Sequence, residues 1–372
     1  MGEARRRVPR ERLCPRCGRL VVTGGSSLPT TRRYRQLVVT GSSSLSADWA
    51  VVMSSSAAAV TMRMGRLGFG GAPIGGLYRD VNATDALAAL EEAWRCGVRY
   101  FDTAPHYGAG RSELLIGEFL AVKPRAEAVV STKVGRLLLT DPGRGVDDPA
   151  FPTERGVRRV FDFSADGVRR SLDASLQRLR LDSVDIVYLH DPDAHWRQAV
   201  DEALPALYPL REAGVLRAIG VGMTQTRLLE RFVRETDIDV VLLAGRYSLL
   251  DRHAEDGLFP ACSDANVPVV VGGVFNGGIL ADPENSPLYD YRPAPPEIRA
   301  KAERLRRICA EFGVPLAAAA VQFPLRHPAV RTVLVGVRNA AEMRTDAELL
   351  DMPIPDALWA RLDAVGELEA PA

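Results

Sequence analysis

The sequence predicts one α/β domain, a closed (β/α)8 barrel spanning residues 62–372, behind an N-terminal extension, residues 1–61. Three observations support this. From Leu67 onward, eight short apolar runs alternate with segments of helical period over about 310 residues, the count and length of a closed parallel barrel. The turn after the first run, Gly68-Phe69-Gly70-Gly71-Ala72-Pro73, lacks the G-x-G-x-x-G spacing of a doubly wound dinucleotide fold, and Pro73 suits a helix start there poorly. Proton-handling side chains recur at the ends of the second, third and fourth runs, where a parallel barrel does its chemistry.

The elements follow in order. Strand Leu67–Gly71 leads to a helix starting at Thr84, an N-cap residue type, with Leu87, Leu90 and Trp94 on one face and Gly97 as stop. Strand Val98–Asp102, a helix through Leu114–Leu120 and strand Ala128–Thr132 come next. Helix Asp166–Arg180 carries Val168, Leu172, Leu176 and Leu179 as one stripe, with Arg169, Arg170, Asp173 and Arg180 off it. It feeds strand Val184–Leu189. Three units follow: helix Ala199–Ala213 with strand Leu216–Val221, helix Thr226–Glu235 with strand Val240–Leu243, and helix Gly257–Ala265 with strand Val267–Val271. Helices Glu297–Phe312 and Pro315–Arg326 precede the last strand, Thr332–Val335. The segment Leu138–Asp162, rich in Gly, Pro and Asp, reads as a mobile loop near the substrate.

The composition, 47% hydrophobic and 25% charged, is that of a soluble globular protein with a large core. The formal net charge is zero but uneven: residues 1–60 hold ten Arg against Glu3, Glu11 and Asp48, 10 − 3 = +7, leaving about −7 on the rest. No basic surface points to nucleic acid. The first sixty residues are rich in Ser, Arg and Gly without sustained periodicity, and repeat Leu20–Leu28 as Leu37–Leu45. They read as an unstructured, over-long translation start, with Met62 or Met64 opening the working protein. Five scattered cysteines suggest a reducing, cytoplasmic setting; Cys14-Pro15-Arg16-Cys17 is half a zinc site without its second half, so no metal is expected. No stretch reaches the roughly 20 apolar residues of a membrane span. The sequence carries no signal for an oligomeric state.

The chemistry concentrates in four residues. Asp102 and Tyr107 lie five apart, Lys133 follows an apolar run, and His190 ends another. A free phenol is a poor base at neutral pH, with a pKa of about 10, so Tyr107 needs a neighbouring ammonium to favour phenolate. Lys133 supplies one, Asp102 holds it, and His190 orients a substrate oxygen. Lys133 stands out because only Lys301 follows it in a chain that otherwise uses Arg. Such a set transfers protons to or from an alcohol or carbonyl oxygen but accepts no hydride, so the redox half requires a cofactor.

At these residues the chain resembles the aldo-keto reductase superfamily, (β/α)8 barrels with an Asp, Tyr, Lys, His tetrad and a nicotinamide cofactor. Asp102, Tyr107, Lys133 and His190 fall on that tetrad, and Phe101 to Glu113 reads Phe-Asp-Thr-Ala-Pro-His-Tyr-Gly-Ala-Gly-Arg-Ser-Glu. The likeness covers about Leu67 to Leu362. Ser131 to Leu137, His190-Asp191-Pro192-Asp193, Leu243 to Leu250, Gly272 to Leu280 and Ala319 to Pro324 are similar to the D-threo-aldose 1-dehydrogenase and pyridoxal 4-dehydrogenase branch. The chain departs from better-known reductases where these hold the carboxamide, with Gly222-Met223 and Ala244 in place of Ser-Asn and Gln, leaving Arg246 and Tyr247 as candidates for that wall.

The resemblance implies a pyrophosphate site on Gly273, Asn276, Gly277 and Leu280, where glycines let backbone N–H groups approach phosphate, and an adenosine site on Gly336, Arg338 and Glu342. Glu342 stands where NADP-preferring relatives have a cation, which favours NAD, with Arg338 favouring NADP; Asp346 stands where relatives usually have Asn. The implied activity is NAD(P)-dependent oxidation of an aldose C1 hemiacetal to a lactone, on substrates of the L-fucose or D-arabinose type. Pyridoxal 4-dehydrogenase and general carbonyl reductase are the alternatives, and a cofactor-binding regulatory subunit of a membrane complex is the reading outside enzymes.

Overall fold

The computed structural model describes residues 57–367 except 153, 154, 287 and 291. Cys14, Cys17 and both copies of the internal repeat lie outside the described residues. Eight strands form the barrel: β1 Leu67–Gly70, β2 Tyr100–Asp102, β3 Val129–Val134, β4 Ile186–His190, β5 Ala218–Met223, β6 Val240–Ala244, β7 Val269–Gly272 and β8 Val330–Val335. Each pairs in parallel with its neighbours in chain order, and Leu67 opposite Val333 closes β1 onto β8.

Strand side chains alternate between two buried faces, as parallel sheets covered by helices require. Phe69, Phe101, Val130, Leu189, Val221 and Val271 pack outward with the helices, whereas Tyr100, Val129, Ile186, Tyr188, Val240, Leu242 and Val270 fill the axis. The tyrosine rings fit because β1 and β5 carry glycines beside them: a Cβ on Gly68 would lie 2.9 Å from the Tyr100 ring, and one on Gly220 2.7 Å from the Tyr188 ring.

The floor of the barrel differs from the sequence expectation. Residues 57–61, assigned to the unstructured extension, form helix Ala57–Met62, which places Val60 in the interior cluster together with Met64. Arg331 Nη2 donates to Met62 O at 2.6 Å and Thr332 Oγ1 to Gly65 O at 2.7 Å, fastening this segment under β8. The helix is too short to show a period, and its anchoring is entirely tertiary.

Most helices fall within two residues of expectation, and Thr226–Glu235 matches it. Helix Ala83–Arg95 is capped by Asn82, whose Oδ1 accepts from Asp85 N at 2.8 Å, so Thr84 lies in the first turn. Helices Ala340–Asp351 and Asp356–Glu367, which follow β8, were not delineated from the sequence. The segment read as a mobile loop instead contains an antiparallel hairpin, Arg136–Thr140 against Val157–Phe161, with Leu137 opposite Val160. Its strands are five residues each and separated by residues 141–156, so the pairing leaves no local signature. No single helix among the described residues is long and apolar enough to cross a membrane.

Val60 is fully buried beneath the barrel axis. Val60→Asp places a charge there and is expected to lower the unfolding free energy by about 2–4 kcal/mol in urea titration; a change below about 0.5 kcal/mol would detach this helix from the fold.

Candidate active site

Side chains two apart on a strand share a face. Tyr100 and Asp102 on β2, Ser131 and Lys133 on β3, and Tyr188 and His190 on β4 therefore form three inward pairs, each with the tetrad member nearer the C-terminal rim. The register sets Asp102 opposite Ser131, Lys133 opposite Tyr188 and His190 opposite Gly222. Lys133 lies within β3, which runs on to Val134, and a Cβ at Gly222 would sit 3.8 Å from Lys133 Cε.

Lys133 Nζ donates to Asp102 Oδ2 at 2.6 Å and to Thr103 O at 3.0 Å, and both side chains are almost wholly buried. Asp102 Oδ1 accepts from Ser131 Oγ at 2.6 Å. With the Ser131 proton spent on the carboxylate, Tyr100 donates to Ser131 Oγ at 3.0 Å and Tyr188 to Tyr100 at 3.1 Å. A column of hydroxyls thus ends on one carboxylate. Burial pushes the Tyr100 and Tyr188 hydroxyls above the ordinary phenol value, so they remain donors. Sequence reasoning missed Tyr100, Ser131 and Tyr188; their two-residue spacing from Asp102, Lys133 and His190 is the signal that marks them.

Tyr107 stands in the loop after β2, where its backbone packs on Gly75 so closely that a Cβ there would lie 2.8 Å from Tyr107 C. Lys133 Nζ lies 4.7 Å from the centroid of the Tyr107 ring, a cation–π contact, and its hydrogen bonds go to Asp102 and Thr103. The expectation that the ammonium draws the phenol toward phenolate is corrected: burial pushes the Tyr107 hydroxyl well above its ordinary value, the Asp102 and Asp191 charges add to this, and Arg136 opposes it. The His190 ring meets Tyr107 edge-on at 6.0 Å between centroids. Burial first, then the charges of Arg136, Lys133 and His106, hold His190 well below its usual pKa, so it is neutral; its buried Nδ1 has no partner among the described residues.

The hairpin brings residues to the site that sequence reasoning left without roles. Arg136 donates through Nη2 to Asp191 and through Nη1 to His106 Nδ1 at 3.2 Å. His106 Nε2 in turn donates to Asp148 Oδ2 at 3.1 Å, and this bond holds the Asp148 carboxyl down at about 2. Phe151 stacks on Tyr107 with centroids 6.3 Å apart, and Arg159 Nη2 donates to His106 O at 3.1 Å. The loop that carries His106 and Tyr107 is thus held by the segment read as mobile.

The proposed cofactor residues lie on the same rim. Arg246, half-buried after β6, pairs with Asp290 and lies 3.7 Å from Asp251. Tyr247 does not join it: its hydroxyl donates to Glu255 at 2.9 Å and its ring packs on Phe259 in the core. After β7, Gly273, Asn276 and Gly277 all have positive φ. Asn276 Nδ2 donates to Gly245 O at 3.0 Å, and its buried Oδ1 has no partner among the described residues. The backbone N–H groups of Asn276, Gly278 and Leu280 are taken by Gly273 O, Phe275 O and Phe275 O, and the Leu280 side chain is fully buried. Gly336 packs on Pro73, where a Cβ would meet the proline ring at 2.8 Å.

Glu342 has a local duty that its position alone does not reveal. It lies in the first turn of helix Ala340–Asp351, where Asn339 Oδ1 accepts from Glu342 N at 2.9 Å, while the Glu342 carboxylate accepts from Arg338 N at 2.8 Å and Asn339 Nδ2 at 3.1 Å. Arg79 and Arg338 approach the same carboxylate at 3.6 and 3.9 Å. Arg338 Nε is buried without a partner among the described residues. No group of His, Cys, Asp and Glu among the described residues is arranged to hold a metal ion.

A family model described as the aldo/keto reductase family matches residues 66–367. The chain belongs to this family. It is an NAD(P)-dependent oxidoreductase built on the family's barrel. The chain is 44% identical over 313 residues to a D-threo-aldose 1-dehydrogenase of a Pseudomonas species, covering 82% of this chain and 95% of the relative. It is 43% identical over 320 residues to a pyridoxal 4-dehydrogenase of Microbacterium luteolum, covering 81% and 93%. An L-galactose dehydrogenase of Arabidopsis thaliana is 32% identical, covering 76% and 83%. Among solved structures, a glycerol dehydrogenase of Gluconobacter oxydans shares the fold at a TM-score of 0.66 and 22% identity, covering 82% of this chain and 93% of its own. A holo-form aldo-keto reductase of Bacillus halodurans does so at 0.63 and 24%, covering 81% and 91%.

Burial, then the Glu342 charge, raise the Asp346 carboxyl to about 7. An acid whose folded pKa exceeds its unfolded value loses stability as pH rises from about 4 toward 7. Asp346→Asn removes that loss and is expected to raise the melting temperature at pH 8, with the gain shrinking toward pH 5. An equal effect at both pH values would show that Asp346 is not the titrating group.

Proposed function

We propose that this chain oxidises the C1 hemiacetal of an aldose, of the L-fucose or D-arabinose type, to a lactone. The observation that carries the reading is the tetrad itself: a buried phenol whose proton is held tightly, against a neutral His190 and the only ammonium at the site. The 44% identity to a D-threo-aldose 1-dehydrogenase supports the substrate class.

The residues have separable tasks. Tyr107 Oη takes the hydroxyl proton during oxidation, or returns it to a carbonyl oxygen in reverse. His190, neutral because it is buried, keeps one N–H for the same oxygen and so fixes which C–H faces the cofactor. Lys133, tethered by Asp102, places positive charge over the Tyr107 ring as the phenolate develops. The nicotinamide, when bound, accepts the hydride. Among the described residues, the buried His190 Nδ1, Asn276 Oδ1 and Arg338 Nε are without hydrogen-bond partners and lie at or beyond the ends of β4, β7 and β8, and this rim suits an extended dinucleotide. Arg246, Gly273, Asn276, Gly277, Gly336, Arg338 and Glu342 would hold it, whereas Leu280, its N–H taken and its side chain buried, has no free donor to offer. Glu342 favours NAD, because a 2′-phosphate would meet its carboxylate, although Arg79 and Arg338 beside it temper that preference.

The second reading, pyridoxal 4-dehydrogenase, rests on the 43% identity to that enzyme and applies the same chemistry to another cyclic hemiacetal. The test is reduced-cofactor formation by the full chain with NAD or NADP, using L-fucose, D-arabinose and pyridoxal. Aldose turnover is expected, rising with pH because Tyr107 must be deprotonated before it can accept a proton. Tyr107→Phe is expected to lower kcat by roughly 10²- to 10⁴-fold with cofactor affinity kept. No reduced cofactor from any of the three substrates would refute the reading.

A further inference from the structure

We propose that Asp191, held by Arg136, selects substrate by accepting a hydrogen bond from a hydroxyl on the carbon next to the reacting one. The inference rests on the aldose reading and deepens it. Asp191 follows His190 directly and adopts a left-handed backbone, φ 48°, fixed by donation from its N–H to Gly222 O at 3.0 Å. That turn brings Asp191 Oδ2 to 3.6 Å from His190 Nε2. The carboxylate thus stands beside the imidazole that orients the reacting oxygen, at a spacing comparable to that of two oxygens on neighbouring carbons of a sugar.

Arg136 fixes this carboxylate in place. Its guanidinium reaches Asp191 through Nη2 and His106 through Nη1, and lies 4.7 Å over the Phe161 ring from the partner strand of the hairpin. His106 is itself tied to Asp148, so the contact runs from Asp191 back into the hairpin segment. Arg136 holds Oδ2, the oxygen that also lies 3.6 Å from His190 Nε2, and the side chain is 34% exposed, which leaves the carboxylate open to a further donor. A carboxylate accepts and cannot donate, so it recognises a hydroxyl. An ion pair needed only for stability would not have to stand part-exposed beside the imidazole that meets Tyr107.

The site should therefore prefer polyhydroxylated substrates carrying a free hydroxyl next to the anomeric carbon. D-Arabinose and 2-deoxy-D-ribose, which differ in that hydroxyl, are the direct comparison. The full-length enzyme is expected to turn over D-arabinose roughly 10- to 150-fold more efficiently in kcat/KM, the effect of one hydrogen bond to a charged group. Asp191→Ala should erase most of this difference by losing activity on D-arabinose far more than on 2-deoxy-D-ribose, with the affinity for NAD unchanged. Asp191→Asn, which keeps a carbonyl acceptor, should lose less, and Arg136→Met should fall between them. Equal losses on both sugars in Asp191→Ala would overturn the proposal, because Asp191 would then act through His190. Equal turnover of the two sugars by the unmodified enzyme would overturn the proposal and leave the aldose reading standing, whereas failure to oxidise any aldose would overturn both.

Discussion

The buried contact between Asp102 and Lys133 is the constraint on which the rest of the site depends. Two opposite charges at 2.6 Å, almost without solvent, are tolerable only if every remaining valence is met. Asp102 meets this with Ser131 on one oxygen and Lys133 on the other, and Lys133 adds the carbonyl of Thr103. The hydroxyls of Tyr188 and Tyr100 then point up the same column toward the carboxylate, so the polar interior is ordered from the rim downward. Gly68 and Gly220 leave the room those two rings need.

That anchor also sets the chemistry. Burial first, then the Asp102 and Asp191 charges, leave Tyr107 a tightly held proton rather than a resting phenolate, and burial leaves His190 neutral. On the proposed reading the site is a proton store beside a neutral imidazole, and a bound nicotinamide would take the hydride. The hairpin after β3 completes the arrangement from the outside: Phe151 stacks on Tyr107, Arg159 holds the backbone of His106, and Arg136 spans His106 and Asp191.

The alternation of apolar runs made the barrel legible, and the clustering of Asp102, Lys133 and His190 was legible because they lie at or near the ends of consecutive strands, with Tyr107 in the loop after the first. The hydroxyl column was equally readable in principle, since each of its members lies two residues before a tetrad residue, but Tyr100 and Tyr188 resemble ordinary core residues until the inward face is known. The hairpin was unreadable for a different reason. Its strands are short, their partners are distant in sequence, and Arg136 and Arg159 look like surface charge until the fold turns them inward. Helix Ala57–Met62 likewise owes its place to the barrel floor rather than to any pattern of its own. Glu342 shows the converse: a residue assigned to a ligand also serves the start of a helix.

A double-mutant cycle over Asp102→Asn and Lys133→Met, read by denaturant unfolding, tests the anchor most directly. Each single change strands a buried group and is expected to cost about 3–5 kcal/mol, while the double variant recovers about 2 kcal/mol or more of the summed loss. Losses that add to within about 0.5 kcal/mol would show that the two side chains act independently and that the site is held by something else.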